Sequence, residues 1–163
     1  MDKHILVKKY LEQHSLVESN ILSFNDFVEN RMQQIVNEVS KSLPTEDVKI
    51  ELGKISIGKP DIIEADGSKH DILPAEARLR NLTYSAPVYL EISIKNGSES
   101  EKSCVEIGRI PIMVKSKYCH LSEIPYDKLV ENYIDYADPG GYFIINGNER
   151  VLVMIEDLAP NQP

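Results

Sequence analysis

The sequence predicts an α+β fold: an N-terminal helical arm packed on a mixed, mainly antiparallel β-sheet. Three observations predict it. Apolar residues recur at steps of three and four from Ile21 to Val39, the period of a helix face. After Pro44 the period drops to two, most cleanly from Tyr84 to Ile94. Turn pairs such as Asp66-Gly67 and Asn146-Gly147 punctuate the rest. Residues 1–44 form the helical part and residues 45–163 a β-rich core with short helices, together one compact unit.

Each element has a local reason. Ile5, Leu6 and Tyr10 begin a short amphipathic helix ending near Ser15. Ile21, Phe24, Val28, Met32, Ile35 and Val39 line one face of a longer helix, capped by Ser19 or Asn20. Leu43-Pro44 ends it, because a residue before proline is pushed out of the helical region. Val48, Ile50 and Leu52 alternate, then Ile55 and Ile57, with Gly53-Lys54 between them. Pro74 opens a short helix or turn running to Arg80. Tyr84, Ala86, Val88, Leu90, Ile92 and Ile94 share one face of a strand. Pro87 lacks a ladder donor, which points to an edge strand. The polar stretch 96–102 links it to a return strand, Cys104 to Val114, whose alternation slips at Gly108 and calls for a β-bulge. Asp127 to Tyr136 reads as a helix. Tyr142–Ile145 and Val151–Ile155 read as a hairpin around Asn146-Gly147-Asn148-Glu149.

Composition excludes several classes. Hydrophobic residues make up 42% and charged residues 27%, ordinary for a globular domain with a real core. No apolar run approaches the roughly 20 residues of a membrane span, and the N-terminus carries no signal-peptide pattern. Both point to a cytoplasmic protein without membrane contact. The net charge of −8 argues against autonomous nucleic-acid binding, which relies on neutralising phosphates. A piece of a larger assembly escapes that argument, since neighbours can supply the charge. Cys104 and Cys119 stand outside any Cys-x-x-Cys pair, which fits free thiols in a reducing compartment.

No catalytic constellation is visible. The chain holds no Walker-type glycine loop, no nucleophile elbow and no spaced metal carboxylates. Gly140-Gly141 leads into a strand, whereas anion-binding loops usually lead into a helix. His4, His14, His70 and His120 show no ligand spacing, and His70 reads as a solvated loop residue. We therefore assign no catalytic residue and no metal ligand. Two cation pairs remain. Arg78 and Arg80, like Lys115 and Lys117, stand two apart, so extended backbone would project each pair from one face toward phosphates. The competing reading is ion pairing with Glu76, Glu106 or other acids. Glu149-Arg150 either forms a cross-loop pair that fixes the turn or presents Arg150 to a phosphate or partner.

Four ordered motifs carry a family resemblance over nearly the whole chain. They are Ser23-Phe24-Asn25-Asp26-Phe27; Glu76-Ala77-Arg78-Leu79-Arg80-Asn81-Leu82-Thr83-Tyr84-Ser85-Ala86-Pro87; Ile107-Gly108-Arg109-Ile110-Pro111-Ile112-Met113-Val114-Lys115-Ser116-Lys117-Tyr118-Cys119; and Phe143-Ile144-Ile145-Asn146-Gly147, then Glu149-Arg150-Val151. In this order they resemble the N-terminal, protrusion part of the second-largest subunit of archaeal DNA-directed RNA polymerase, homologous to bacterial β.

The resemblance implies a fragment of a longer subunit that forms a wall of the DNA cleft in template-directed RNA synthesis. It implies nucleotidyl transfer by the complex, inactivity of the isolated chain, no cofactor here, and magnesium and zinc elsewhere in the polymerase. Implied partners are other polymerase subunits, the rest of the same subunit, template DNA, the RNA–DNA hybrid and a basal initiation factor. The apolar helix stripe suggests self-association of the isolated chain. Arg150 is the residue the resemblance turns toward the cleft, ahead of Arg78, Arg80, Lys115 and Lys117. Ile155 falls where bacterial and eukaryotic relatives usually carry Gln, and Asn148 where Ser or Thr is usual. The rival reading is a stand-alone acidic α/β protein-interaction module.

Overall fold

A computed structural model describes residues 3–43, 49–96, 99–124 and 138–153. Helices α1 (Lys3–Gln13), α2 (Glu18–Asp26) and α3 (Met32–Lys41) come first. A single π-helical turn, Phe27–Arg31, joins α2 to α3. The residues turned inward are Phe24, Val28 and Val36, with Met32 half-buried. Their spacing is four throughout. In an α-helix each step of four overshoots a full turn by about 40°, so three steps would leave the face. The π turn absorbs an extra residue and keeps them in line. This corrects the predicted stripe: Ile35 and Val39 are exposed at 51% and 46%, and Val36 takes the inward place.

The main sheet is antiparallel, in the order β1 (Lys49–Ile57), β4 (Ser85–Asn96), β5 (Glu99–Pro111). Two small ribbons flank it, β2 (Asp61–Ile63) with β3 (Lys69–Asp71) and β6 (Phe143–Ile145) with β7 (Asn148–Arg150). The short helix α4 (Pro74–Leu79) stands between β3 and β4. Pro87 sits on the central strand, not on an edge. It is tolerated because its carbonyl accepts from Gly58 N (2.9 Å), so its donor-less nitrogen faces the side where β1 ends at Ile57, opposite Val88. A Cβ on Gly58 would lie 3.0 Å from the proline ring. The expected bulge is present: Val88 pairs with Gly108 and Tyr89 with Glu106, leaving Ile107 as the extra residue.

A second irregularity at Gly53-Lys54 interrupts β1. Gln33 of α3 bridges it, donating to the Gly53 carbonyl (3.1 Å) and accepting from Ile55 N (3.0 Å). The core gathers at the Tyr84 end of β4, where Ala86, Ile112, Val114, Cys119 and Ile144 are fully buried. Ile94, at the far end of the same face, is 41% exposed. Tyr84 stitches the core together. Its amide donates to Ile144, its carbonyl accepts from Ile112, and its hydroxyl accepts from His120 N at 3.1 Å. Burial, reinforced by Cys119, pushes its phenol far above the usual range. Cys104 is exposed and Cys119 buried, both as free thiols. The helix expected over 127–136 and the far end of the hairpin, with Ile155, lie outside the described residues.

Candidate functional site

Arg78 and Arg80 stand on the last turn of α4 and just beyond it, so residues two apart diverge instead of sharing a face. Arg80 forks onto Glu64 (2.7 and 2.9 Å) and reaches Glu76 at 2.8 Å. The Arg80 hydrogen bonds hold the Glu64 carboxyl below its ordinary range. His70 is exposed as expected but lies on β3 and not in a loop, 3.6 Å from Glu64 and 3.7 Å from Glu76.

Arg78 is a hub. Its Nη2 donates to the Tyr142 hydroxyl and lies 3.4 Å from Asp138 Oδ2; the Tyr142 hydroxyl itself donates to Asp138. Its Nε lies 2.9 Å from Glu149 Oε1, close enough to pair but not aligned as a hydrogen bond. The guanidinium also sits over the Tyr142 ring, 5.6 Å from the centroid. Burial and the Asp138 hydrogen bond push the Tyr142 phenol up. Asp138 is fixed in turn by Gly140 N (2.8 Å) and, through its carbonyl, by the Lys115 ammonium.

Lys115 and Lys117 do not share a face either. They lie in a turn, with Lys115 in the left-handed region at φ 63°. Lys117 pairs with Glu29 of the π turn, which raises the lysine pKa. Four of the five candidate cations are thus committed within the chain: Arg78, Arg80 and Lys117 to acids, as the ion-pairing reading expected, and Lys115 to a backbone carbonyl.

Arg150 differs. The hairpin turn is Asn146-Gly147 alone, with φ 49° and 76°, the two-residue geometry favoured by a twisted ribbon. Glu149 and Arg150 therefore sit on β7, and Glu149 pairs with Arg78 across the fold, not with Arg150 across the loop. Register places Glu149 opposite buried Ile144, and Arg150 opposite Phe143 on the other face. There Arg150 borders an apolar groove of about 550 Å³, walled by Phe24, Phe27, Ile110, Met113, Phe143, Ile145 and Leu152. It is the one charged residue of that lining, and it has no ion-pair partner among the described residues. Phe24 meets Phe143 edge-on at 5.5 Å at the groove floor.

Sequence reasoning missed the partners of Arg78, which lie 60 to 71 positions away, and the buried Asp61. Asp61 is held by Lys69 (2.8 Å) and by Arg109, whose Nη2 also donates to the Asp61 carbonyl at 2.6 Å. No short-range signal marks such pairings. Among the described residues no group of three or more His, Cys, Asp or Glu side chains is arranged to hold a metal. Among them, no helix is long and apolar enough to cross a membrane.

A family model described as RNA polymerase beta subunit matches residues 15–161. DNA-directed RNA polymerase subunit Rpo2N of Methanothermobacter thermautotrophicus is 49% identical over 161 residues, 96% of this chain and 31% of the relative. Rpo2N of Methanocaldococcus jannaschii is 48% identical over 164 residues, 96% of this chain and 33% of the relative. Rpo2 of Saccharolobus solfataricus is 48% identical over 160 residues, 96% of this chain and 14% of the relative. The chain thus spans between about a seventh and a third of these relatives' length. It belongs to the RNA polymerase beta-subunit family, as an N-terminal part of the archaeal second-largest subunit.

Proposed function

We propose that this chain forms the protrusion wall of the DNA cleft in an archaeal DNA-directed RNA polymerase. It serves as scaffold, and the nucleotidyl-transfer chemistry belongs to other parts of the complex. Arg150 faces the nucleic acid, while the groove and the exposed helix faces meet other polymerase subunits, the rest of the subunit or a basal initiation factor. One observation carries the reading. Of the cations singled out by sequence, Arg150 alone has no acidic or carbonyl partner among the described residues, on a hairpin tied to the core from its opposite face.

The test is Arg150→Gln in the full-length subunit of an assembled polymerase. Loss of one phosphate contact lowers the slope of log affinity against log salt by about 1. An unchanged slope refutes the cleft-facing assignment. The net charge of −8 favours the rival, a stand-alone interaction module. That reading requires the chain to act without polymerase subunits, and co-purification with them refutes it.

A further inference from the structure

We infer that Arg78 is a positioning residue that reads the register of the β6–β7 hairpin and thereby sets where Arg150 points. The functional consequence rests on the proposed cleft-facing role of Arg150; the register claim does not. The ribbon pairs only three residues on each side, too few to hold itself in water. Its turn and first strand are well tied. Gly147 N donates to the Leu82 carbonyl (2.9 Å), Asn146 N to Thr83 Oγ1 (3.1 Å), and Tyr84 N to the Ile144 carbonyl (3.0 Å). β7 is not. Asn148, Glu149 and Arg150 are all exposed. Glu149 on Arg78 is the one ion pair that joins β7 to the body among the described residues.

Adjacent strand residues face opposite ways, so a slip of one position would exchange Glu149 and Arg150. The slipped hairpin would press the Arg150 guanidinium against Arg78, itself held in place by Tyr142 and Asp138. The native register gains an attraction, and the nearest alternative meets a like-charge clash. The same slip would remove Arg150 from the groove rim. Arg78 is well placed for this, being 28% exposed and fixed on a helix 71 positions away in sequence.

Hydrogen exchange of the chain tests this. Arg78→Gln is expected to lower amide protection at Phe143 and Arg150 by about two- to fivefold, the range of a partly exposed pair, and to leave Ile112 and Val114 unchanged. Arg78→Lys keeps the charge and is expected to keep most of the protection. Arg78→Gln combined with Glu149→Gln is expected to lose no more hairpin protection than Arg78→Gln alone, a non-additivity that packing alone does not give. Unchanged protection in Arg78→Gln overturns the inference, as does a uniform loss across the core. In the assembled polymerase, Arg78→Gln is expected to lower the salt slope only where Arg150→Gln also does. A null result for Arg150→Gln with intact hairpin effects refutes the cleft assignment and leaves the register device standing.

Discussion

Asp61 shows how one buried carboxylate can be kept charged. Burial pushes its pKa up, but hydrogen bonds from Lys69 and Arg109 outweigh that and hold it below the ordinary aspartate range. A depressed folded pKa means the unfolded chain binds the proton more readily. The contribution is therefore present above about pH 4 and is lost as pH falls through the folded value. Asp61→Asn should cost about 1–3 kcal/mol near neutrality, the price of leaving Arg109 and Lys69 without their acceptor. It should also flatten the acid limb of a stability-against-pH curve measured by denaturant melts. At Gly147 the constraint is steric. Its φ of 76° and a Cβ that would lie 2.8 Å from Asn81 Cα predict that Gly147→Ala costs at least about 2 kcal/mol in thermal melts. Sequence made Gly147 legible through the Asn-Gly pair, whereas Asp61 stood in no pattern. An ion triad around one buried carboxylate is assembled from residues up to 48 positions apart, and local spacing carries no trace of it.

Among elements, alternation and turn pairs proved the readable signals. The face of β4 and the bulge beside Gly108 follow from them, and the start of α4 follows from the proline at its first turn. Two features did not. Pro87 reads as an edge residue because a donor is missing, yet a central strand accepts it where its neighbour stops. The helical stripe reads Ile35 inward because the period is assumed constant, and the π turn shifts it to Val36. That turn sets the phase of α3, hence Gln33. Gln33→Ala should strand the Gly53 carbonyl and Ile55 amide, costing about 1–2 kcal/mol and speeding exchange at Ile55. No change at Ile55 would mean water replaces the bridge. The cation pairs were misplaced for a related reason: two-apart residues share a face only on extended backbone, and neither pair lies on one.

At the scale of the molecule, much apolar surface stays uncovered. Ile5, Leu6, Val7 and Tyr10 of α1 are each more than half exposed, and the groove beside Arg150 is open. Surfaces of this kind mark contacts within larger assemblies. The isolated chain should therefore self-associate, with sedimentation coefficients rising with concentration. A strict monomer at high concentration would refute this. Family membership was legible because four motifs kept their order, a property of the whole chain. The role of single side chains was less so, since Arg78, Arg80, Lys115 and Lys117 are interchangeable on paper and are distinguished only by the partners the fold brings to them.

The two thiols give the molecule a clock of its own. Cys104 lies open on β5, whereas Cys119 is fully buried against the Tyr84 hydroxyl at 3.4 Å. An alkylating reagent should modify Cys104 at once in the native state. Cys119 should react only as often as the core around Tyr84 comes apart. The lag between the first and second mass increment then times the opening of that core, without any label or substitution. Measured alone and again within an assembled polymerase, it would tell how far neighbours slow the breathing of this core.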